Sequence, residues 1–199
     1  MDKRQFLNSA VMIGALPAME SAASAATTAR PAGRGPALLT VTGAIAKPNR
    51  PPLDPVRDQM MHKQKLTFDK AHAFDWAALT ALPAIEIHPT LEYDAKMHAL
   101  RGPRLMDVLA AAGAQLTHAG KVVLRAVDGY AVALSLAEVR SKNMIVATHL
   151  DGQAMALGGL GPLWAVYDAD RYAPAAARPL AERFGGCPWA LYHIEVTTA

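Results

Sequence analysis

Apolar residues recur along the chain in short runs whose spacing predicts seven or more β-strands. The clearest are residues 121–127 and 130–135, which are separated by Asp128-Gly129 and therefore predict a β-hairpin. In residues 143–150, alternation places Ile145, Ala147 and His149 on one face of a strand. The remaining predicted strands are residues 38–45, 65–69, 84–88, 97–100, 162–168 and 189–196.

Three short helices are predicted by capping residues and by apolar residues that share one face. Leu105, Val108 and Leu109 lie on the same face of the clearest helix, which follows a predicted turn at residues 101–103. The predicted helices begin after Asp75, Pro103 and Ser135 and end near Pro83, Gly113 and Ser141. Because these helices and strands do not alternate strictly, the pattern predicts an α+β domain with a mixed sheet or barrel.

Composition indicates one folded domain with processing segments before it. The chain has 199 residues, of which 52% are hydrophobic, so a sizeable core is expected over residues 38–199. Residues 26–37 are rich in Ala, Gly, Pro and Arg and predict a flexible lead-in, and the proline-rich residues 46–58 predict an extended arm. The net charge is only +3 and its basic residues are spread out, which excludes the clustered footprint of a nucleic-acid-binding protein.

The amino-terminal residues 1–25 predict an export signal. A short basic start precedes an apolar stretch and the small residues Ala23-Ser24-Ala25, after which cleavage is expected. Lys3-Arg4 followed by Phe6-Leu7 is similar to a twin-arginine motif, although an ordinary signal for unfolded export is an equal alternative. Either route predicts a periplasmic protein.

Seven histidines invite a metal hypothesis, but no two of them have a recognised metal-ligand spacing, so no metal site is predicted. Four of them lie in or beside predicted strands and are candidates for a shared cleft. These are His88, His98, His149 and His193.

The glycine-rich segment 158–161 and the single cysteine, Cys187, are both predicted to be structural. The glycines precede a strand rather than a helix and lack a Lys-Ser/Thr ending, so they indicate close backbone packing rather than a phosphate loop. A lone cysteine forms no intramolecular disulfide and is most often a small buried apolar group.

Five ordered motifs resemble the sulfite-oxidase-like, molybdopterin-binding oxidoreductase domain in its small stand-alone bacterial form. They span about residues 68–196. In order they are FDWAALTALP, LRGPRLMDVLAAAGA, VLRAVDGYAVALSLAEV, MIVATHLDGQAMALGGLGPLWAVYD and PWALYHIEV. The resemblance implies an α+β fold of mixed sheets in which a pterin dithiolene holds molybdenum and one cysteine thiolate completes the coordination of the metal.

The family's cysteine lies between the ALP helix and the RG turn, and the corresponding residues 84–102 contain no cysteine. Two hypotheses therefore stay open: a molybdopterin oxidoreductase, or a non-catalytic protein that binds or senses a small ligand, haem or metal for a membrane redox or sensor partner. Arg101, Arg104 and Arg171 are available for a pterin phosphate. The predicted pocket residues are His88, Thr90, His98, Arg101, Tyr130 and His149.

Overall fold

Eleven β-strands in three sheets form the framework of residues 35–117 and 119–198, the part of the chain that the computed structural model describes. The predicted export signal at residues 1–25 and most of the lead-in at residues 26–37 lie outside this part. Within it, one mixed sheet and two antiparallel sheets combine with few short helices, so the α+β class is confirmed, and these sheets do not close into the barrel that the sequence offered as an alternative.

The largest sheet has five strands in the order β2-β1-β11-β5-β6. β1 and β11 are parallel, and every other neighbouring pair is antiparallel. Its strands are β1 (Leu39–Gly43), β2 (Ala71–Phe74), β5 (Lys121–Ala126), β6 (Ala131–Ser135) and β11 (Leu191–Thr197). The predicted hairpin of β5 and β6 is thus confirmed.

The two smaller sheets are antiparallel, and the four-stranded one carries Glu86, Arg101 and His149. One has the order β3-β4-β8-β9, and the other pairs β7 with β10. Their strands are β3 (Ala84–Ile87), β4 (Leu100–Pro103), β7 (Ile145–Ala147), β8 (His149–Leu150), β9 (Gln153–Ala154) and β10 (Trp164–Val166).

The helices are short, and no helix among residues 35–117 and 119–198 has the length and apolarity needed to cross a membrane. The Asp75 side chain accepts a hydrogen bond from the Ala78 N–H, and Ser135 with Glu138 forms the predicted capping box. The helices are α1 (Gln59–Lys63), α2 (Trp76–Thr80), α3 (Leu105–Ala111), α4 (Leu136–Ser141) and α5 (Ala173–Ala176), followed by a 3-10 turn at Leu180–Glu182.

One large apolar cluster joins all three sheets, and a smaller one covers the outside of the main sheet. The predicted face of α3 is fully buried in the large cluster. Met61 of α1 and Leu66 pack with Tyr192 of β11, which explains why both faces of that strand are covered. The large cluster therefore fixes the ends of β3, α3 and α4, where the candidate site lies.

Two predicted strands are displaced along the chain. The strand expected at residues 65–69 lies instead at Ala71–Phe74, the segment that pairs with β1, because Lys65 adopts a left-handed φ of 63° after α1. The strand expected at residues 97–100 lies at Leu100–Pro103, so the turn expected at residues 101–103 is part of β4. A Cβ on Gly102 would lie 2.0 Å from the Val146 carbonyl oxygen, so this glycine allows β4 to approach β7 rather than reversing the chain.

The strand predicted at residues 143–150 is divided at Thr148 between two sheets. β7 pairs with β10, whereas β8 pairs with β4. Ile145, Val146 and Ala147 are all buried because both faces of β7 are covered, so strict alternation does not hold there. His149 consequently belongs to a different sheet from Ile145 and Ala147.

Candidate functional site

A polar cleft of about 510 Å³ lies where the end of β3 meets Arg104 before α3, the end of α4 and residues 168–172. Its charged side chains and its one histidine come from four separate stretches of sequence. They comprise three cations, two carboxylates and an imidazole: Arg104, Lys142, Arg171, Glu86, Asp168 and His88. The cleft therefore offers both hydrogen-bond donors for an anion and acceptors for a polar ligand group.

Arg104 is positioned by a hydrogen bond to a neutral side chain rather than by a salt bridge. Its Nε donates to Oδ1 of Asn143 over 3.1 Å. Within the described part of the chain, no carboxylate lies within 4 Å of the Arg104 guanidinium. Asn143 follows α4 with a left-handed φ of 47°, a conformation that asparagine tolerates better than most residues. The terminal nitrogens of Arg104 are thus available to an incoming anion.

Asp168 organises the opposite side of the cleft. Its side chain is only 12% exposed, and it accepts hydrogen bonds from the backbone N–H groups of His88, at 3.4 Å, and Arg171, at 3.3 Å. The Arg171 Nε also lies 3.5 Å from Asp168 Oδ2. Nε2 of His88 lies 3.2 Å from Oε1 of Glu86, so this histidine reaches the cleft beside a carboxylate.

Lys142 lies over two aromatic rings on the same wall. Its Nζ is 5.4 Å from the centroid of the Tyr167 ring and 6.0 Å from that of Tyr172, which are cation–π distances. The nearest carboxylate oxygen in the described part of the chain, on Glu138, is 3.9 Å away. These contacts with the two rings hold the Lys142 ammonium group in a fixed position, as a preorganised binding site requires.

Arg101 and His149, two predicted pocket residues, are neighbours on one face of the four-stranded sheet. Arg101 lies opposite Glu86 on β3 and opposite His149 on β8. The His149 ring is 5.4 Å from the ring of Trp76, and its Nδ1 lies 2.8 Å from the Thr148 hydroxyl. The structure thus brings these two residues together, but outside the lining of the polar cleft.

Thr90 and His98 are engaged in structural contacts of the loop between β3 and β4. The Thr90 N–H donates to Asp170 over 2.7 Å. The ring nitrogens of His98 lie 2.7 Å from Asp151 and 3.1 Å from Asp94. Hydrogen bonds to Asp151 first, and then to Asp94, raise the pKa of His98.

Tyr130 lines a second cleft, of about 330 Å³, whose lining includes Cys187. The Tyr130 hydroxyl donates to the Gly185 carbonyl. Cys187 is 4% exposed, and burial raises the pKa of its thiol to about 12. The six predicted pocket residues are therefore divided among the polar cleft, the sheet face, the β3–β4 loop and this second cleft.

Sequence reasoning missed Lys142, Asn143 and Asp168, although one signal was present. Lys142 and Asn143 directly follow the helix that the capping box predicts, so a polar helix end was visible in the sequence. No local pattern indicates that this helix end meets Arg104, because the contact depends on how β7 packs against β4.

The residues present do not fit a thiolate-anchored molybdenum. Residues 84–102 contain no cysteine, and the thiol of Cys187 stays protonated at neutral pH because its pKa is about 12. Within the described residues, no group of three or more His, Cys, Asp or Glu side chains is arranged to hold a metal ion. The donor set of this chain therefore departs from that of the family it resembles.

Sequence comparisons assign this chain to no known family. No protein-family model and no curated protein matches the sequence. Among solved structures, the chain is similar to the crystal structure of the sulfane dehydrogenase SoxCD from Paracoccus pantotrophus, with 10% sequence identity and a TM-score of 0.49. The similarity covers 79% of this chain and only 37% of that one, so this chain spans well under half of its neighbour's length.

Proposed function

We propose that this chain is an exported, non-catalytic domain that binds a small phosphate-bearing molecule in the polar cleft. The single observation that carries the proposal is the Arg104 guanidinium, which Asn143 positions through Nε and which has no carboxylate within 4 Å among the described residues. A guanidinium group held in this way presents parallel N–H donors that match the oxygens of a phosphate.

The other side chains of the cleft support the same ligand class. Lys142 and Arg171 add positive charge, and a volume of about 510 Å³ is that of a small-molecule site. Glu86 and Asp168 disfavour a purely anionic ligand, since their carboxylates accept hydrogen bonds only. The ligand should therefore combine a phosphate with hydroxyl or amino donors, as a sugar phosphate or a pterin phosphate does.

A binding role is favoured over molybdenum redox chemistry because the chain offers no accessible thiolate. Cys187 is buried and protonated, and the Ser135 hydroxyl is used in the capping box of α4, where it donates to the Glu138 carboxylate and accepts from the Glu138 N–H. We extend the proposal to location and partners: the pattern of residues 1–25 supports export to the periplasm, where a ligand-bound domain would report to a membrane sensor or redox partner.

The test uses ribose 5-phosphate, inorganic phosphate and unphosphorylated ribose as probes in calorimetric titrations of the full chain. We expect ribose 5-phosphate to bind most tightly, inorganic phosphate to bind more weakly because it lacks the sugar hydroxyls, and ribose to bind at least tenfold more weakly than ribose 5-phosphate. Arg104→Gln should weaken ribose 5-phosphate binding about tenfold, since hydrogen bonds to charged groups are worth about 1.5–3 kcal/mol. Arg57→Gln is the matched control, because Arg57 is 88% exposed and lies outside the cleft. Equal binding of ribose, or no effect of Arg104→Gln, would contradict the proposal.

Metal analysis and an absorption spectrum test the alternatives on protein made in cells that synthesise the pterin cofactor. We expect neither stoichiometric molybdenum nor a haem band. Molybdenum bound at one atom per chain would restore the oxidoreductase hypothesis, and a haem band that is lost in His88→Ala or His149→Ala would make the histidines the ligands.

A further inference from the structure

Three exposed aromatic side chains surround the second cleft, the one of about 330 Å³ that Tyr130 lines. Tyr93 is 55% exposed, Tyr130 46% and Trp189 41%. Among the large hydrophobic side chains that are exposed in residues 35–117 and 119–198, these three are the aromatic ones. All three line this cleft. Aromatic rings left in water around one concavity are typical of a binding site rather than of a folded core.

The three rings come from different parts of the fold. Tyr93 lies in the loop between β3 and β4, Tyr130 directly precedes β6 in the β5–β6 hairpin, and Trp189 precedes β11. The Tyr130 hydroxyl donates to the Gly185 carbonyl, so its ring is fixed on one wall. Phe184 and Cys187, which are both buried, also line the cleft and contribute apolar surface to it.

The charged side chains of this cleft are carboxylates. Glu92 and Asp128 line it, and its lining within the described residues includes no Lys, Arg or His. Burial, followed by the nearby Glu92 carboxylate, raises the pKa of the Tyr93 phenol, which places negative charge beside that ring. The cleft therefore has the opposite electrostatic character to the polar cleft.

We infer that this cleft binds an organic cation of the quaternary ammonium type. Such a cation has no N–H donors, so it is recognised by the negative faces of aromatic rings and by nearby carboxylates that need not hydrogen-bond. Tyr93, Tyr130 and Trp189 supply the rings, and Glu92 and Asp128 supply the charge. The inference does not depend on the phosphate ligand, because the two clefts share no lining residue.

The experiment titrates the full chain with choline and with its neutral carbon isostere, 3,3-dimethyl-1-butanol, and follows tryptophan fluorescence and calorimetric heat. The two probes have the same shape and differ in charge. We expect choline to bind at least fivefold more tightly than the isostere, because only the cation is attracted by the negative faces of the rings. Equal affinities, or no binding of choline at millimolar concentrations, would overturn the inference.

Variants identify which groups are responsible. Tyr93→Ala and Glu92→Gln should each weaken choline binding at least threefold, whereas Tyr93→Phe keeps the ring and should retain most of the affinity. Asp69→Asn, a charge change at an exposed residue outside the cleft, is the matched control for Glu92→Gln and should leave binding unchanged. Thermal unfolding of each variant shows that it is folded. If folded Tyr93→Ala binds choline as the parent does, the site is not this cleft.

Discussion

Nδ1 of His98 lies 2.7 Å from Oδ2 of Asp151 and thereby joins the loop between β3 and β4 to the turn between β8 and β9. The same carboxylate accepts the Ala99 N–H through Oδ1, and Nε2 of His98 is 3.1 Å from Asp94. His98 and these two carboxylates thus fasten the loop that carries Glu92 and Tyr93, which line the second cleft.

We predict that this contact stabilises the protein most in mildly acidic solution. The folded pKa of His98 is raised above 6.5, so its contribution is fully present below about pH 6.5 and is lost as the pH rises through the raised value. The pKa values of Asp94 and Asp151 are lowered, so the contact is also lost as the pH falls through those values. Urea unfolding of the parent and His98→Gln should show a stability difference that shrinks above neutral pH. A difference that does not vary with pH would contradict this assignment.

His193 should produce the opposite dependence on pH. Burial, and then the charges of Arg125 and Arg50, lower its pKa to about 3, and Thr42 lies 3.0 Å from its Nε2. In the unfolded chain this histidine binds a proton near pH 6.5, whereas in the folded chain it stays neutral down to about pH 3. The free energy of unfolding should therefore decrease by about 1.4 kcal/mol for each unit by which the pH is lowered between about pH 6 and pH 4. His193→Leu should reduce this slope. An unchanged slope would show that His193 is not the group responsible.

The thiol of Cys187 should be unreactive in the folded protein. With 4% exposure and a pKa of about 12, it has almost no thiolate at pH 8. We expect the disulfide reagent DTNB to react in native buffer no faster than the protein unfolds, and to react rapidly and with one thiol per chain in urea. Immediate reaction of the native protein would show an accessible thiolate and would make Cys187 a candidate metal ligand again.

Gly161 and Gly159 should differ sharply when each is replaced by alanine. A Cβ at Gly161 would lie 2.4 Å from the Met155 Cβ and 2.6 Å from its backbone carbonyl, whereas the nearest atom to a Cβ at Gly159 is 3.7 Å away. We expect Gly161→Ala to lower the free energy of unfolding by about 1–3 kcal/mol or more, and Gly159→Ala to change it by less than about 0.5 kcal/mol. Urea unfolding measures both. Similar values for the two would disprove the view that Gly161 is needed for the close packing of this loop against Met155.

The sequence by itself determined the elements whose stabilising contacts are local. The Asp75 cap, the Ser135–Glu138 capping box and the hairpin turn at Asp128-Gly129 each depend on groups a few residues apart, so short-range patterns were sufficient to predict them. The single buried cysteine followed in the same way from its residue type.

The tertiary structure alone decided which strands became neighbours and which side chains met. The parallel pairing of β1 with β11, the division of residues 143–150 between two sheets and the place of Gly102 inside a strand all depend on burial against distant segments. The contact of Arg104 with Asn143 and the shared cleft of Tyr93 with Trp189 arise from the same packing. No periodicity encodes such contacts, because the free energy that selects them comes from apolar surface buried between residues far apart in the chain.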